Sequence, residues 1–205
     1  MTIRFHRNDL PDLGHYDVDA VAIDTETLGL KPHRDRLCVV QLSPGDGTAD
    51  VVQIDAGQKK APNLVALLKN RKITKLFHYA RFDLAVLYHT VGVMPEPVFC
   101  SKIGSRLTRT YTDRHGLKDL CNELLGITLS KAQQSSDWAA EELSPEQLEY
   151  AASDVLYLHQ LREKLTERLE REKRMREAEA CFRFLPTRAK LDLMGWEETD
   201  IFAHS

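Results

Sequence analysis

Three short apolar segments near the start of the chain constrain its fold more than any other feature. Residues 18–23, 37–42 and 50–54 are each rich in aliphatic side chains, and a Pro-Gly-Asp-Gly turn at 44–47 separates the second segment from the third. Apolar runs of this length, bounded by turn residues, are typical of strands. The segments therefore predict three consecutive strands that pair as a meander.

Helical and extended segments alternate after this meander. Apolar residues at helical spacing predict helices at 62–69, 80–89, 102–107 and 117–125, the last one ending at Gly126. The intervening extended segments are a short buried strand at 73–77 and residues 93–99, which contain two prolines. Antiparallel strands followed by such alternation predict an α/β fold in which helices flank a mixed central sheet.

A strong helix start lies at Ser144. Its hydroxyl can cap the helix, Pro145 suits the first helical position, and Gln147 can complete a capping box. Apolar residues then recur along one face from 148 to 169, which predicts one long helix. The chain is expected to form a single domain over residues 1–205, with a helical C-terminal extension from about residue 162 and no additional nucleic-acid-binding domain.

The charge of the chain argues against electrostatic binding of long nucleic acids. The formal net charge is −3, whereas proteins that bind long duplexes by charge alone carry a large basic excess. Residues 162–179 contain seven basic and six acidic side chains, a balance typical of a solvated helix face. A nucleic-acid substrate is therefore expected to be short or bound at one end.

Composition also indicates where such a chain resides. No run of about 18 uninterrupted apolar residues is present, so no membrane partner is expected. The N-terminal residues lack the apolar run of a secretory signal. The four cysteines lie far apart, without the spacing of a zinc site or a disulfide framework. They are all expected in or near apolar packing, and the protein is expected in the cytoplasm.

An acidic pair follows the first predicted strand. Asp24 and Glu26 are two residues apart at the strand end, so both side chains can lie on one face. Carboxylates held this close repel each other unless cations lie between them, and Mg²⁺ or Mn²⁺ suits oxygen ligands of this kind. Solvated acids at the end of a surface strand would give the same pattern, so the pair needs support from other segments.

Two later segments supply this support. Asp83 lies among apolar neighbours near the start of a predicted helix, where a partly buried acid needs a partner such as a metal ion. It could instead stabilise the helix electrostatically. Tyr150 and Asp154 are four residues apart, and therefore lie on one face of the long helix. A phenol one turn from a metal-bound carboxylate can orient an attacking water.

With these three segments in order, the chain resembles the DEDD superfamily of 3′→5′ exonucleases, which includes ribonuclease D proteins and polymerase proofreading domains. Asp24 and Glu26 match the first motif, Asp83 the second, and Tyr150 with Asp154 the third. The tyrosine in the third motif is similar to that of the DEDDy branch, because the other branch would need a histidine at the preceding position. The resemblance implies a ribonuclease H-like fold.

The resemblance extends beyond the acidic residues. Residues 113–121 and 131–138 are similar to segments of ribonuclease D. Over its whole length the chain most resembles the NanoRNase C family of short bacterial oligoribonucleases, and the segments 27–36 and 196–205 carry this similarity. That family implies short RNA oligonucleotides, especially dinucleotides, as substrates, with DNA as the alternative. It also implies a homo-oligomer, in the form of an octameric ring.

The resemblance further implies a two-metal mechanism. Asp24, Glu26, Asp83 and Asp154 would hold two divalent cations, Mg²⁺ or Mn²⁺. Tyr150 would position the water that attacks the last phosphodiester, and a 5′-mononucleotide would be released.

Three further residues are implied in substrate binding. Leu30 would act as a wedge between the terminal bases, Thr27 would lie near the terminal sugar, and His78 near the scissile phosphate or the preceding sugar. Taken alone, Leu30 could equally pack into the core, and His78 could be a buried core histidine.

Two other functions remain open at this point. The same chemistry could act on longer RNA or DNA ends, as in ribonuclease D, or the fold could serve as an inactive nucleic-acid-binding module. Several basic residues in one region could contact phosphates or could be ordinary surface charges: Lys102, Arg106, Arg109, Arg114 and Lys118.

Overall fold

A mixed six-stranded sheet lies at the centre of the protein. The computed structural model describes residues 2–130 and 132–204; Met1, Lys131 and Ser205, which belong to segments interpreted above, lie outside the described residues. The strands are β1 Thr2–Arg7, β2 Ala20–Thr27, β3 Leu37–Ser43, β4 Thr48–Gln53, β5 Thr74–Phe77 and β6 Val98–Cys100. They are arranged in the order β1-β4-β3-β2-β5-β6.

Strand directions confirm the predicted mixed sheet. Strands β2, β3 and β4 pair antiparallel as the expected meander. Strand β5 runs parallel to β2, β6 runs parallel to β5, and β1 runs parallel to β4. The predicted α/β fold class is therefore confirmed, with β2 between the antiparallel meander partner β3 and the parallel strand β5.

All the helices follow the meander in the sequence. The helices are α1 Pro62–Lys69, α2 Ala80–Val91, α3 Ser101–Thr108, α4 Leu117–Leu120, α5 Pro145–Leu156, α6 Leu158–Arg171 and α7 Met175–Leu191. Two π-helical turns follow α4 and α7, at Cys121–Leu125 and Asp192–Trp196. Within the described residues, no helix is both long and apolar enough to cross a membrane.

The prediction of one long helix beyond Ser144 is wrong, because the helix is broken. The capping box of Ser144 and Gln147 is present, but α5 ends at Leu156 and α6 begins at Leu158. Tyr157, between them, has φ −106° and ψ −1°. Apolar residues keep their helical spacing on both sides of Tyr157, so periodicity alone does not reveal a one-residue break. The leucines of α6 belong to the same hydrophobic core as the sheet.

Two smaller expectations are also corrected. Strand β1 was not predicted, although its sequence alternates polar and apolar residues as a half-buried edge strand does. Cys38, Cys100 and Cys121 are buried as expected, but Cys181 is exposed on α7. A position on the solvent side of a long helix cannot be recognised from the spacing of cysteines alone.

A buried carboxylate ties β1 to the sheet. Asp50 on β4 accepts hydrogen bonds from Arg4 Nε at 2.8 Å and from the Tyr16 hydroxyl at 2.5 Å, and His6 Nε2 lies 2.7 Å away. Burial alone would raise the pKa of Asp50, but the bonds from Arg4, Tyr16 and His6 outweigh it and lower the pKa to about 2. The fold therefore depends on Asp50 being ionised.

We expect this carboxylate to make the fold sensitive to acid. Because the folded-state pKa lies below the ordinary value of 3.8, its stabilisation is complete above about pH 4 and is lost as the pH falls towards 2, by roughly 2 kcal/mol. Urea unfolding at several pH values should show this loss in the native protein. The Asp50→Asn variant should have a lower free energy of unfolding at neutral pH, and this free energy should fall less on acidification than that of the native protein. An equal fall in the variant and the native protein would contradict the role of Asp50.

Candidate active site

Strand β2 carries the first acidic pair. The strand continues to Thr27, so Asp24 and Glu26 lie within it rather than beyond its end, which corrects the predicted strand boundary. They pair in register with Gln41 and Val39 of β3, and the register shifts just after Glu26. Residues two apart in a strand point to the same face, and here both carboxylates do so.

Asp154 on α5 joins this pair. One carboxylate oxygen of each of Asp24, Glu26 and Asp154 lies within 4.8 Å of the others. Residues more than a hundred positions apart in the chain are thus brought into one cluster by the packing of α5 on the sheet. Three oxygen ligands at this separation can contact a common cation.

Asp83 occupies a neighbouring position in the first turn of α2. Its side chain is buried, at 3% exposure, and accepts a hydrogen bond of 2.7 Å from Thr25 Oγ1. Its charge raises the pKa values of Asp24 and Glu26, so it is electrostatically part of the same cluster. Asp83 therefore lies close to the other three acids but is held by a hydroxyl from the strand that carries two of them.

The pKa values of these acids indicate an unfavourable cluster of like charges. Burial, followed by repulsion from Asp83, Asp154 and Glu26, raises the pKa of Asp24 well above its ordinary value. Burial and then the charges of Asp154 and Asp83 raise the pKa of Glu26 to about 8, and burial raises the pKa of Asp154 to about 7. Burial also raises the pKa of Asp83, to about 7. Ionising all four acids together is therefore costly.

The donor set fits divalent cations. In the part of the chain that the structure describes, none of the four acids forms a salt bridge with a lysine, arginine or histidine. Partly buried carboxylates without such a counter-charge remain ionised at neutral pH when a hard cation neutralises them. Oxygen ligands alone, without sulfur or imidazole, favour Mg²⁺ or Mn²⁺ over softer metals.

Tyr150 lies one helical turn before Asp154 on α5. Burial, followed by the negative charges of Asp154, Glu26 and Asp24, raises the pKa of its phenol, so the hydroxyl keeps its proton. Its ring packs against Trp138, with 6.0 Å between the ring centroids. The hydroxyl is thus a fixed proton donor beside the acidic cluster.

Gln41 is a site residue that the sequence interpretation missed. It is fully buried on β3, directly opposite Asp24, and its Nε2 donates a hydrogen bond of 3.0 Å to Asp24 Oδ2. This bond fixes the orientation of the Asp24 carboxylate. The available signal was a polar residue inside an otherwise apolar predicted strand.

These residues open onto a cavity of about 340 Å³. Asp24, Glu26, Tyr150 and Asp154 line it together with His78. A larger groove of about 870 Å³ lies elsewhere, beside β6 and α7, and is not lined by these acids. The chemistry therefore points to the smaller cavity, which has the size of a site for a small ligand.

Basic residues at this cavity differ from the expected set. Lys102 and Lys118 line it and can contact an anion. Arg109 is neither a phosphate contact nor a surface charge, because its side chain is 1% exposed and forms a salt bridge with Glu123. An ion pair between a buried arginine and a partly exposed glutamate 14 positions away cannot be recognised from local composition. The arginines that are exposed as expected are Arg106 and Arg114.

The three substrate-binding candidates lie around the same region. Leu30 is 84% exposed on the loop after β2, so it does not pack into the core. Thr27 Oγ1 donates a hydrogen bond of 2.5 Å to the carbonyl of Gly29 and so shapes this loop. His78 lines the cavity, and its Nδ1 lies 2.8 Å from Ser101 Oγ. Burial, and then the charge of Lys102, lower the pKa of His78 to about 3, so the ring is neutral.

Tyr79 is a second residue that the sequence interpretation missed. It lines the cavity, is 44% exposed, and has the Lys102 ammonium 4.5 Å from its ring centroid. Its φ of +66° is unusual for a residue with a side chain. Backbone strain of this kind is concentrated at functional sites, because the surrounding structure must maintain it.

A family model described as 3′-5′ exonuclease matches residues 13–170. The chain belongs to this family. A ribonuclease D from Acidiphilium cryptum is 39% identical over 158 residues, which cover 76% of this chain and 39% of that protein. The chain thus spans about two fifths of the length of such relatives. The family expected from the sequence, the ribonuclease D-like 3′–5′ exonucleases, is confirmed by these matches.

Solved structures extend the similarity to the whole chain. Brucella melitensis NrnC is 76% identical, with a TM-score of 0.98 and complete coverage of both chains. That protein has also been solved with bound Mg²⁺ and bound to pGG. Escherichia coli RNase D is 28% identical, with a TM-score of 0.75, over 84% of this chain and 45% of that one. The expected resemblance to NanoRNase C is therefore confirmed, and the family depends on divalent metals.

Proposed function

We propose that this protein is a 3′–5′ exoribonuclease that hydrolyses short oligoribonucleotides, dinucleotides in particular, to 5′-mononucleotides. The observation that carries the proposal is the cluster of Asp24, Glu26 and Asp154 beside the Tyr150 hydroxyl, within one cavity of about 340 Å³. Acids of this kind next to a proton donor are suited to phosphodiester hydrolysis rather than to binding alone. The inactive binding module is therefore the less suitable alternative.

Asp24, Glu26, Asp83 and Asp154 would hold two divalent cations, Mg²⁺ or Mn²⁺. When bound, such cations stabilise the negative charge that develops on the phosphate and make water a better nucleophile near neutral pH. The mutual repulsion that raises the pKa values of the acids supports this role, because cations relieve it. Further support is the Mg²⁺ complex of the 75% identical Brucella protein.

The remaining residues have roles that follow from their protonation and contacts. Tyr150 keeps its proton and donates a hydrogen bond that orients the attacking water. Gln41 fixes the Asp24 carboxylate through its bond of 3.0 Å. Lys102 and Lys118 attract the phosphates of the substrate to the cavity. Neutral His78, which lies within hydrogen-bond distance of Ser101, would lie near the scissile phosphate without placing a positive charge beside the cations.

The substrate is proposed to be short for three reasons. The cavity has the size of a small-molecule site, and the net charge of −3 does not favour long nucleic acids. Leu30 projects from its loop as an exposed apolar side chain, as a wedge between two bases would. The pGG complex of the Brucella protein supports a short substrate for this chain as well.

Activity on longer RNA ends is the second candidate function. It is favoured by the match of residues 13–170 to the 3′-5′ exonuclease family and by the similarity to ribonuclease D. The homo-oligomer, the cytoplasmic location and the single-domain organisation stay predictions.

A length-resolved assay distinguishes the two candidates. We expect 5′-labelled RNAs of increasing length to show the highest kcat/KM for the dinucleotide, with either Mg²⁺ or Mn²⁺, because only a short substrate fits the cavity completely. Asp154→Asn serves as the inactive control for contaminating nucleases. Equal rates at every length would favour the ribonuclease D-like activity, and absence of mononucleotide release with both metals would favour a binding module.

A further inference from the structure

The C-terminal segment 192–199 lies against the loop that carries Leu30. It follows the end of the family match at residue 170, so the family assignment gives it no role. The Lys31 ammonium, adjacent to Leu30, forms a salt bridge of 2.5 Å with the Glu197 carboxylate. The carbonyl of Glu197 also accepts a hydrogen bond of 2.6 Å from Arg81 Nη2. Glu197 thus contacts both the Leu30 loop and helix α2.

A largely buried ion cluster anchors this segment. Asp192 is 8% exposed and accepts two hydrogen bonds from Arg81, at 2.5 and 2.8 Å. Arg188 forms a second salt bridge with Asp192 at 2.9 Å and donates to the carbonyl of Trp196 at 2.6 Å. Two-point contacts between arginine and a carboxylate fix geometry as well as adding stability. Since Arg81 lies two residues before Asp83, the anchor is on the helix of a proposed metal ligand.

The Leu30 loop is built so that Lys31 determines where Leu30 lies. The Lys31 amide donates a hydrogen bond of 2.9 Å to Asp35 Oδ2. A Cβ atom on Gly29 would lie 2.3 Å from the same oxygen, so the loop closes tightly on Asp35. Leu30 is 84% exposed and has few contacts of its own. Its position is therefore set by its two neighbours in the chain.

A cleft of about 210 Å³ separates the loop from the C-terminal segment. Leu30 and Lys31 form one side of it, and Asp192 and Glu197 form the other. Tyr79 lines both this cleft and the catalytic cavity, so the two are adjacent. A shift of the C-terminal segment would therefore change the edge of the substrate site.

We propose that Lys31 and Glu197 are positioning residues for substrate binding. Their salt bridge holds the loop 28–36 against the anchored C-terminal segment and so fixes Leu30 beside the catalytic cavity. The inference rests on the proposed function, in which Leu30 contacts the bases. Because neither residue lies at the acidic cluster, the salt bridge acts on the binding of short oligoribonucleotides rather than on the hydrolytic step.

A charge exchange tests this role. Lys31→Glu and Glu197→Lys are each expected to raise the KM for a labelled dinucleotide by roughly three- to tenfold, with kcat changed by less than about twofold. The double variant, which restores opposite charges, is expected to return the KM to within about twofold of the native value. Glu198→Lys is the matched control, because Glu198 is 88% exposed and its carboxylate lies 3.9 Å from the same ammonium; it should have little effect.

Hydrogen exchange gives a readout that does not depend on activity. The amides of residues 28–36 are expected to exchange faster in each single variant and at the native rate in the double variant. Unchanged amide exchange and unchanged KM in the single variants would overturn the inference. A double variant that does not recover the native KM and exchange rate would also overturn it, as would faster exchange without a change in KM. If the native protein does not hydrolyse dinucleotides, the proposed function fails, and the exchange data still decide whether the salt bridge positions the loop.

Discussion

Asp24→Asn is expected to lower the rate of hydrolysis by on the order of a thousandfold or more, because it removes one of the charges proposed to hold the cations. Asparagine has nearly the same shape and can still accept the hydrogen bond from Gln41 Nε2, now 3.0 Å from Asp24 Oδ2. The loss would therefore report the charge rather than the packing. Initial rates on a dinucleotide with Mg²⁺ and with Mn²⁺ measure the loss of rate. Calorimetric titration of each metal measures the loss of cation affinity.

The stability of this variant provides an internal control. Asp24 is repelled by Asp83, Asp154 and Glu26, so removing its charge relieves repulsion, and the metal-free variant should melt no lower than the native protein. Glu149→Gln, at an exposed position on α5, is the matched substitution and should leave turnover unchanged. Metal-dependent hydrolysis that persists in both Asp24→Asn and Asp154→Asn would rule out this site.

The spacing of residues in the sequence predicted those parts of the site that lie within a single strand or a single helix. Asp24 and Glu26 were expected on one face because they are two residues apart in a strand, and both lie in the described cluster. Tyr150 and Asp154 were expected on one helix face, and both line the cavity. Such relations follow from the periods of strands and helices, which are fixed by backbone geometry.

Other features depend on tertiary packing, which spacing does not reveal. The role of Gln41 arises from the register between β2 and β3, which places it opposite Asp24. Arg109 is buried because Glu123, from the turn after α4, reaches its guanidinium. The break at Tyr157 leaves the apolar periodicity intact, so the sequence pattern predicts one continuous helix where the structure has two.

The site is locally unfavourable for folding, and the surrounding structure compensates. Asp83 is buried among apolar residues and gains a hydrogen bond from Thr25, which lowers its pKa against the larger effect of burial. Tyr79 keeps a left-handed backbone next to the cavity. Strain and like charges of this kind persist only when the core around them is well packed. Strand β3 is buried along its whole length, and the apolar residues of β2 are buried as well.

Tyr150→Phe is expected to lower kcat by about a hundredfold while leaving metal affinity nearly unchanged. The substitution keeps the ring that packs against Trp138, at 6.0 Å between centroids, and removes only the hydroxyl. That hydroxyl remains protonated, because burial and the nearby acids raise its pKa, so it acts as a hydrogen-bond donor and not as a base. Single-turnover rates on a dinucleotide and titrations with Mn²⁺ separate its effect on the hydrolytic step from any effect on cation binding.

Tyr157→Phe is the matched control, because it removes another phenol hydroxyl at the end of the same helix, from a residue that does not line the acidic cavity. It should retain the native rate. A Tyr150→Phe variant as fast as the native protein would exclude the water-orienting role, whereas a loss of metal affinity equal to the loss in rate would mean that the hydroxyl supports the carboxylates instead. The expected result, a reduced rate with unchanged affinity, follows only if the proton of Tyr150 is used in the hydrolytic step itself.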